Sequence, residues 1–445
     1  MTNQLQRIHR RNLGFSLIEL MVALAIGLIA TIGIVSLFSN TSRSNRLQEG
    51  LARLQENGRY AALRMEDDMR RVGGQFCSNS SGNRQIGSVA PLWQDRSPWI
   101  FAANLGPTAA PSGLPDSGGM QSVNPTTGGA QPAAATAPYA LSTRFLMQGY
   151  TCNTTSTCIP AAPSTLPAPG LTDGQRVPNT DMLTIRYQRG SGWPISGTGN
   201  CAAGGTLTLA PQLGDDPVNI TTGSLALVSD CQSPYVIPIS NVAGNALTVA
   251  PRLPGTLPCR ALATRDVRVF NFSQDFVTIT YYLGFRTNDN PDARPNAGGL
   301  RLVPSLIRRE NGVDQVIVQG VDRLNFRYGV RDRGGNMRFL TAQEVQTAAI
   351  PCPPKPDGVA PSPGDPLASE PGCLWRSVRR VEASMLVNSG EEVLNLDPIS
   401  RSYQYMGTTF TPTDTDTAAL TTGLMARSYP RREFIAHATH RNKTP

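Results

Sequence analysis

Few residues of this 445-residue chain have the types and spacings that chemistry needs. Its three histidines are His9, His437 and His440. His437-x-x-His440 does not suit one strand face, where neighbours sit two apart, and no third ligand stands nearby. Both are therefore read as surface residues. No G-x-S-x-G, phosphate-binding loop or H-E-x-x-H occurs, so the sequence points away from an enzyme. Asp289-Asn-Pro-Asp292 and Asp414-Thr-Asp416 offer oxygens to calcium. Both lack the spacing of an EF-hand loop, which makes solvated turns the better reading; no cofactor is expected.

Eight cysteines lie beyond residue 38: Cys77, Cys152, Cys158, Cys201, Cys231, Cys259, Cys352 and Cys373. An even count in an exported region reads as disulfides. Cys152 with Cys158 would close a small loop, and Cys352 with Cys373 would bracket a proline-rich one. The pairing of the other four stays open. There is no C-x-x-C and no histidine beside any cysteine, which argues against zinc.

The residue left with a mechanism is Glu19. It is the single charge in Phe15 to Phe38, a run of 24 residues. About 20 apolar residues suffice for a helix to cross the ~30 Å hydrocarbon core. A central acid there costs about 2.5–3.5 kcal/mol, less near the end of the run, and is by default a functional residue. The run exceeds the roughly 7–15 apolar residues of a cleaved secretory signal. Arg7, Arg10 and Arg11 precede it and no acid does, an asymmetry that holds the N-terminus in the cytoplasm.

Stepping outward, Gly14-Phe15-Ser16-Leu17-Ile18-Glu19-Leu20-Met21-Val22-Ala23-Leu24 resembles the type IV prepilin signal over eleven continuous residues. The resemblance implies cleavage after Gly14 by a prepilin peptidase and N-methylation of Phe15 as the new first residue. It also implies an assembly role for Glu19, whose carboxylate would meet the new α-amine of a neighbouring subunit in a low-dielectric core.

After Phe38 the apolar residues Leu47, Leu51, Leu54, Gly58, Ala61 or Ala62, Met65, Met69 and Val72 recur by threes and fours, the stripe of a 3.6-period helix. Glu49–Arg53, Glu66–Arg70 and Asp67–Arg71 stand at the favourable i,i+4 spacing, and Gly73-Gly74 ends the helix. One helix over 15–72 would span about 87 Å. Gly27 and Gly33 suit close helix contact in a membrane. Gly50 and Gly58 each cost up to ~1 kcal/mol relative to Ala, which predicts a bend or melted turn near them. The stretch Leu47 to Gly74 resembles the LQENxRxA…DxRxxG segment of PilW-type minor pilins, matching at Gln55, Glu56, Asn57, Arg59, Ala61, Asp68, Arg70 and Gly73.

Residues 75–142 are rich in Gly, Pro, Ala, Ser and Thr, with Trp93 and Trp99 as isolated anchors; they read as loop. Over 143–445, short β-branched or alternating runs predict strands at 182–187, 206–209, 224–228, 235–239, 246–250, 267–270, 276–283, 316–318, 321–330 and 381–387. Asp332 to Asn336 reads as a hairpin tip, 342–349 as a short helix, and 352–373 as a proline-rich insert. The tail, 431–442, reads as a strand whose R-N ending again resembles PilW-type chains. The expected fold is α+β: a cleaved leader (1–14), a membrane-spanning or filament-core helix (15–38), its amphipathic continuation (39–74), a low-complexity region (75–142) and a β-rich, disulfide-containing head.

Forty basic against 32 acidic side chains give +8, of which the three leader arginines supply three. Lysine occurs only at Lys355 and Lys443, and the body has no dense basic run, so no specific nucleic-acid partner is expected. By resemblance the chain is a minor pilin at a pilus tip or in an assembly-initiating complex, supporting twitching motility, adhesion or DNA uptake. It would be inserted in the inner membrane and then exposed to the periplasm and cell surface. Its implied partners are the prepilin peptidase, other minor pilins and the major pilin, the inner-membrane assembly platform and a tip adhesin. The alternatives are a J-type pseudopilin of type II secretion, and a membrane-anchored adhesin or enzyme that never polymerises.

Overall fold

A computed structural model describes residues 16–74, 98–102, 139–140, 146–153, 157–197, 199–229, 234–251, 267–288, 302–332, 335–347, 349–351, 373–390, 402–410 and 429–440. The chain divides into two compact units, Met1–Arg53 and Leu54–Pro445. Helix α1 (Leu17–Arg70) contributes to both.

In the first unit the large apolar side chains from Leu17 to Phe38 are exposed, from half to over three-quarters of their surface. This is the one helix among the described residues long and apolar enough to cross a membrane. Thr31 donates its hydroxyl to the Gly27 carbonyl at 2.7 Å, so a polar side chain inside the run is satisfied within the helix.

In the second unit the predicted stripe faces inward: Leu54, Gly58, Ala61, Met65, Met69 and Val72 are buried. The expected ion pairs Glu66–Arg70 and Asp67–Arg71 form on the other face, and Glu49–Arg53 forms in the first unit. Apart from Glu66 these side chains are about half exposed, and such pairs are worth little, about 0.3–0.5 kcal/mol each. The helix stops as anticipated. Gly73 adopts a left-handed φ of 68°, its N–H donates to the Arg186 carbonyl at 3.1 Å, and the Gly74 carbonyl accepts from Gln188 N–H at 2.9 Å. The chain leaving α1 is thus stitched to a strand.

The alternative of a melted turn near Gly50 and Gly58 is not found; α1 is continuous through both. Gly58 is present for a different reason. A Cβ there would come within 2.3 Å of the Phe434 ring, so the glycine lets that ring lie against the helix backbone.

The strands, in chain order, are β1 (Trp99–Ile100), β2 (Tyr139–Ala140), β3 (Met147–Cys152), β4 (Cys158–Ile159), β5 (Met182–Gln188), β6 (Trp193–Pro194) and β7 (Thr206–Thr208). There follow β8 (Leu225–Ser229), β9 (Pro234–Ala243), β10 (Ala246–Val249), β11 (Arg268–Asn271), β12 (Phe276–Thr287), β13 (Leu302–Glu310) and β14 (Val313–Gln319). The last are β15 (Val321–Arg331), β16 (Met337–Leu340), β17 (Val378–Asn388), β18 (Tyr403–Tyr405), β19 (Thr408–Phe410) and β20 (Arg431–Thr439), with a short helix α2 (Ala342–Gln346) after β16.

Among the described residues the second unit holds three larger sheets and a two-stranded one, β18-β19. A six-stranded sheet runs β14-β13-β12-β5-β3-β4, and a four-stranded one runs β16-β15-β17-β20. They share a core with α1 that gathers Met65 and Met69 with Ile185, Tyr281, Phe326 and Trp375. Each fully buried large apolar side chain of this kind contributes about 1.5–3 kcal/mol. β5 and β12 are direct antiparallel neighbours, Phe276 opposite Gln188. The chain between them builds most of an eight-stranded sheet, β2-β1-β9-β8-β11-β6 with β7 and β10 attached, over its own apolar clusters.

The α+β expectation holds, and the predicted strands of the head appear with small changes of boundary. The hairpin tip is present: Asp332 N–H donates to the Asn336 carbonyl at 2.9 Å, Asn336 N–H to Asp332 Oδ1 at 2.8 Å, and Gly335 has a left-handed φ of 83°. The predicted helix over 342–349 is shorter, opened by a Thr341–Glu344 capping box. Two expectations are corrected. Within 75–142, Trp99–Ile100 is a strand paired parallel to β9, with Ile100, Phe101 and Ala102 buried; two residues are too few to show a period. The nine-residue β13 was not foreseen, because Pro304 and the Arg308-Arg309-Glu310 ending break its apolar alternation.

Filling the space at residue 58 is expected to destabilise the head. Gly58→Val should cost about 1–3 kcal/mol by overpacking, against any gain in helix propensity, and Phe434→Ala in the same chain should recover part of it. Urea unfolding of the detergent-solubilised chain measures both.

Candidate functional site: the apolar helix and its buried seat

The sequence places function at the start of α1. Gly14 and Phe15 lie outside the described residues. Glu19 sits in the first turn of α1, exposed among exposed apolar neighbours. A carboxylate on such a surface is inexpensive in water and costly in lipid or an apolar contact, where it needs a counter-charge.

At the other end of α1 an acid is buried within the protein. Asp68 lies on the apolar stripe between Met65 and Val72 and is 1% exposed. Its Oδ2 accepts from Arg308 Nε at 2.6 Å and from the Tyr281 hydroxyl at 2.6 Å. Its Oδ1 accepts from the Tyr187 hydroxyl at 2.9 Å and more distantly from Arg308 Nη2 at 3.4 Å. Tyr187, Tyr281 and Arg308 come from the adjacent strands β5, β12 and β13, and Tyr281 stands directly opposite Arg308. Arg308 also pairs with Glu310, which pairs with Arg189 just after β5.

Burial by itself would push the Asp68 carboxyl up; the Arg308 hydrogen bond and charge, with the two tyrosine hydroxyls, outweigh it and hold the group below its ordinary value. Burial likewise works against the Arg308 charge, and Asp68 and Glu310 more than offset it. The result is a fully hydrogen-bonded buried ion pair, the kind whose breakage is costly. It can fix where α1 lies on the sheet; nothing in it suggests bond-making chemistry.

Two family models match the chain. One, described as a prokaryotic N-terminal methylation motif, covers residues 9–35. The other, described as Type IV Pilus-assembly protein W, covers residues 289–442, from just before β13 to just beyond β20. By these matches the N-terminal segment is similar to the prepilin-type methylation motif and the C-terminal third to Type IV Pilus-assembly protein W. The chain's role is accordingly pilus-related and minor-pilin-like, with an N-terminal helix of the inner-membrane anchor kind. No curated protein and no solved structure matches it.

The PilW-type segment supplies Arg308 and Glu310, while their partner Asp68 comes from α1. This gives physical content to part of the resembling stretch in α1. Ala61 is a close-packed stripe residue, Asp68 the buried anchor and Gly73 the left-handed stop, whereas Gln55, Glu56 and Arg59 are exposed. Arg308, Tyr187 and Tyr281 were missed from the sequence. The available signal was an acid at a core position of an amphipathic helix, which demands a buried cation somewhere in the head.

Cys152 and Cys158 form the expected disulfide. Cys201 is also disulfide-bonded. Cys352 and the Cys373 side chain lie outside the described residues, as do both carboxylate pairs weighed for calcium. The histidine reading holds for His437, which is exposed beside Arg380. It fails for His440, which is 1% exposed just past β20.

A second buried acid, Asp181, accepts from Asn325 Nδ2 at 3.0 Å, Phe326 N–H at 3.2 Å and Cys152 N–H at 3.3 Å. Burial pushes it up to about 6 against these three bonds.

Two outcomes are expected from urea unfolding of the full chain. Arg308→Leu leaves Asp68 buried without its cation and should cost about 3–5 kcal/mol, much of it recovered when Asp68→Leu is added. The acids also give opposite pH slopes. Asp68, lowered in the fold, contributes stability above its unfolded value that is lost as pH falls through the lowered one. Asp181, raised, imposes a cost that grows as pH rises from its ordinary 3.8 to about 6. Asp181→Asn should therefore remove a decline in stability between those values, and Asp68→Asn should flatten the acid limb below them.

Proposed function

We propose that the chain is a minor pilin of a type IV pilus, incorporated at the tip or in the assembly-initiating complex and supporting pilus biogenesis. Twitching motility, adhesion or DNA uptake would follow from that role. The observation that carries the reading is the pairing of a prepilin-type methylation motif with a PilW-type head segment in one chain.

In this reading the prepilin peptidase cuts after Gly14 and methylates Phe15. The apolar half of α1 spans the inner membrane with its leader in the cytoplasm, then enters the filament. There Glu19 meets the α-amine of a neighbouring subunit, the ion pair gaining strength from the low dielectric. Asp68 and Arg308 hold the head to the amphipathic half of α1. A bulky head suits a low-copy position better than a repeating shaft subunit. The partners are other minor pilins, the major pilin, the inner-membrane assembly platform and a tip adhesin; no cofactor is required. The PilW-type segment favours a pilus over a secretion pseudopilus.

Mass spectrometry of the protein from its native membrane should find an N-methylated Phe15 as the first residue. An intact Met1, or a cut within residues 36–42, would overturn the reading. At matched expression, Glu19→Ala should reduce surface piliation and the recovery of other minor pilins with this chain, and unchanged levels of both would remove Glu19 from the mechanism.

A further inference from the structure

Arg176 is an arginine inside the head without a carboxylate. It is 3% exposed, and among the described residues no acid lies within ion-pairing distance of it. Its backbone is fixed by hydrogen bonds to the Ala168 carbonyl at 3.0 Å and from Gly170 N–H at 3.0 Å, so the side chain is delivered inward by a rigid segment. What its guanidinium faces is the disulfide: Nη1 stands 3.8 Å from both Cys152 Sγ and Cys158 Sγ. A desolvated cation beside two neutral sulfurs is poorly compensated. One event supplies the missing anion at that spot, the formation of a thiolate.

We propose that Cys152–Cys158 is a redox-active pair, with Arg176 as the positioning residue that stabilises a thiolate in its reduced form. The partner reductant is a dithiol of the vicinal C-x-x-C class. One of its thiolates attacks a sulfur of the pair, breaking the S–S bond and forming a mixed disulfide. Its second thiolate resolves that bond and leaves as the partner's own disulfide. Two electrons pass to the pair. One sulfur takes a proton and the other stays as a thiolate on Arg176, so one proton of the dithiol is released to solvent.

The surroundings suit reversal. Cys152 pairs with Cys158 across β3 and β4, and Asn153 N–H donates to the Thr157 carbonyl at 3.0 Å while Thr157 N–H donates to Asn153 Oδ1 at 3.0 Å. These bonds keep the two sulfurs adjacent after reduction. Both cysteines are nearly buried, at 6% and 8% exposure, so the thiolate forms where the arginine charge is little screened. The other titratable groups facing the site are Asp181, which accepts from Cys152 N–H, and Tyr282, which acts on the Arg176 charge. Burial lowers the Arg176 pKa, in keeping with a cation that lacks its counter-ion.

The test equilibrates the full detergent-solubilised chain with dithiothreitol redox buffers, then reads Cys152 and Cys158 by differential alkylation and peptide mass spectrometry. Arg176→Met should make the pair at least tenfold harder to reduce, a shift of about 30 mV for a two-electron couple. Arg176→Lys should retain most of the wild-type value. Equal values for the wild type and Arg176→Met, with circular dichroism unchanged, would overturn the proposal.

If Arg176→Met does not fold, the wild type alone decides between pH 7 and 8, above the Asp181 value of about 6. One proton taken up per two electrons changes the half-cell equilibrium tenfold per pH unit. Uptake of two protons changes it a hundredfold and means that no thiolate is held.

Discussion

The Asp68–Arg308 ion pair is the constraint that fixes where α1 lies on the six-stranded sheet. A charged acid on the buried stripe of a helix is tolerated only where a cation and further donors meet it. The donors come from three adjacent strands, so the helix seat exists only where those strands are in their native register. Apolar burial alone would let the stripe slide by a turn with modest loss, since Leu54, Ala61, Met65 and Met69 would still find apolar neighbours. The ion pair makes such a slip expensive, and the backbone bonds joining Gly73 and Gly74 to β5 close the same junction. Phe434 against Gly58 keys the helix to the four-stranded sheet in a similar way.

This arrangement separates two tasks along one helix. Leu17 to Phe38 offers apolar surface that no described residue of its unit covers, a surface suited to lipid or to an apolar contact. Leu54 to Val72 belongs to the head's core. The two acids of the helix follow the same division. In the proposed reading Glu19 meets its counter-charge on a neighbouring subunit, whereas Asp68 meets its own, Arg308, within the head.

The eight-stranded sheet is built largely by one excursion of the chain. β5 and β12 pair as closely as a hairpin, yet the chain between them builds a sheet with its own apolar clusters. The PilW-type segment begins after β12 and contains none of that excursion. The part of the head that seats α1 therefore combines PilW-type strands with β5 and β12, while the excursion adds surface without interrupting their register.

What was legible in the sequence was whatever depends on local spacing. The apolar run with its lone Glu19, the amphipathic stripe, the Gly73 stop, the i,i+4 ion pairs, the Asp332–Asn336 tip and the Cys152–Cys158 loop all follow from residues within a few positions of one another. Tertiary structure alone decided the contacts between distant residues. Asp68 and Arg308 lie 240 residues apart, and no local period announces them. β13 was hidden because its proline and charges look wrong until Asp68 and Asp314 are seen to receive those arginines. Gly58 looked like a weakness until Phe434 filled the space, and no local pattern announces that Arg176 is buried against two sulfurs. In each case the local sequence specified a charge or a gap, and only the folded chain determined what would satisfy it.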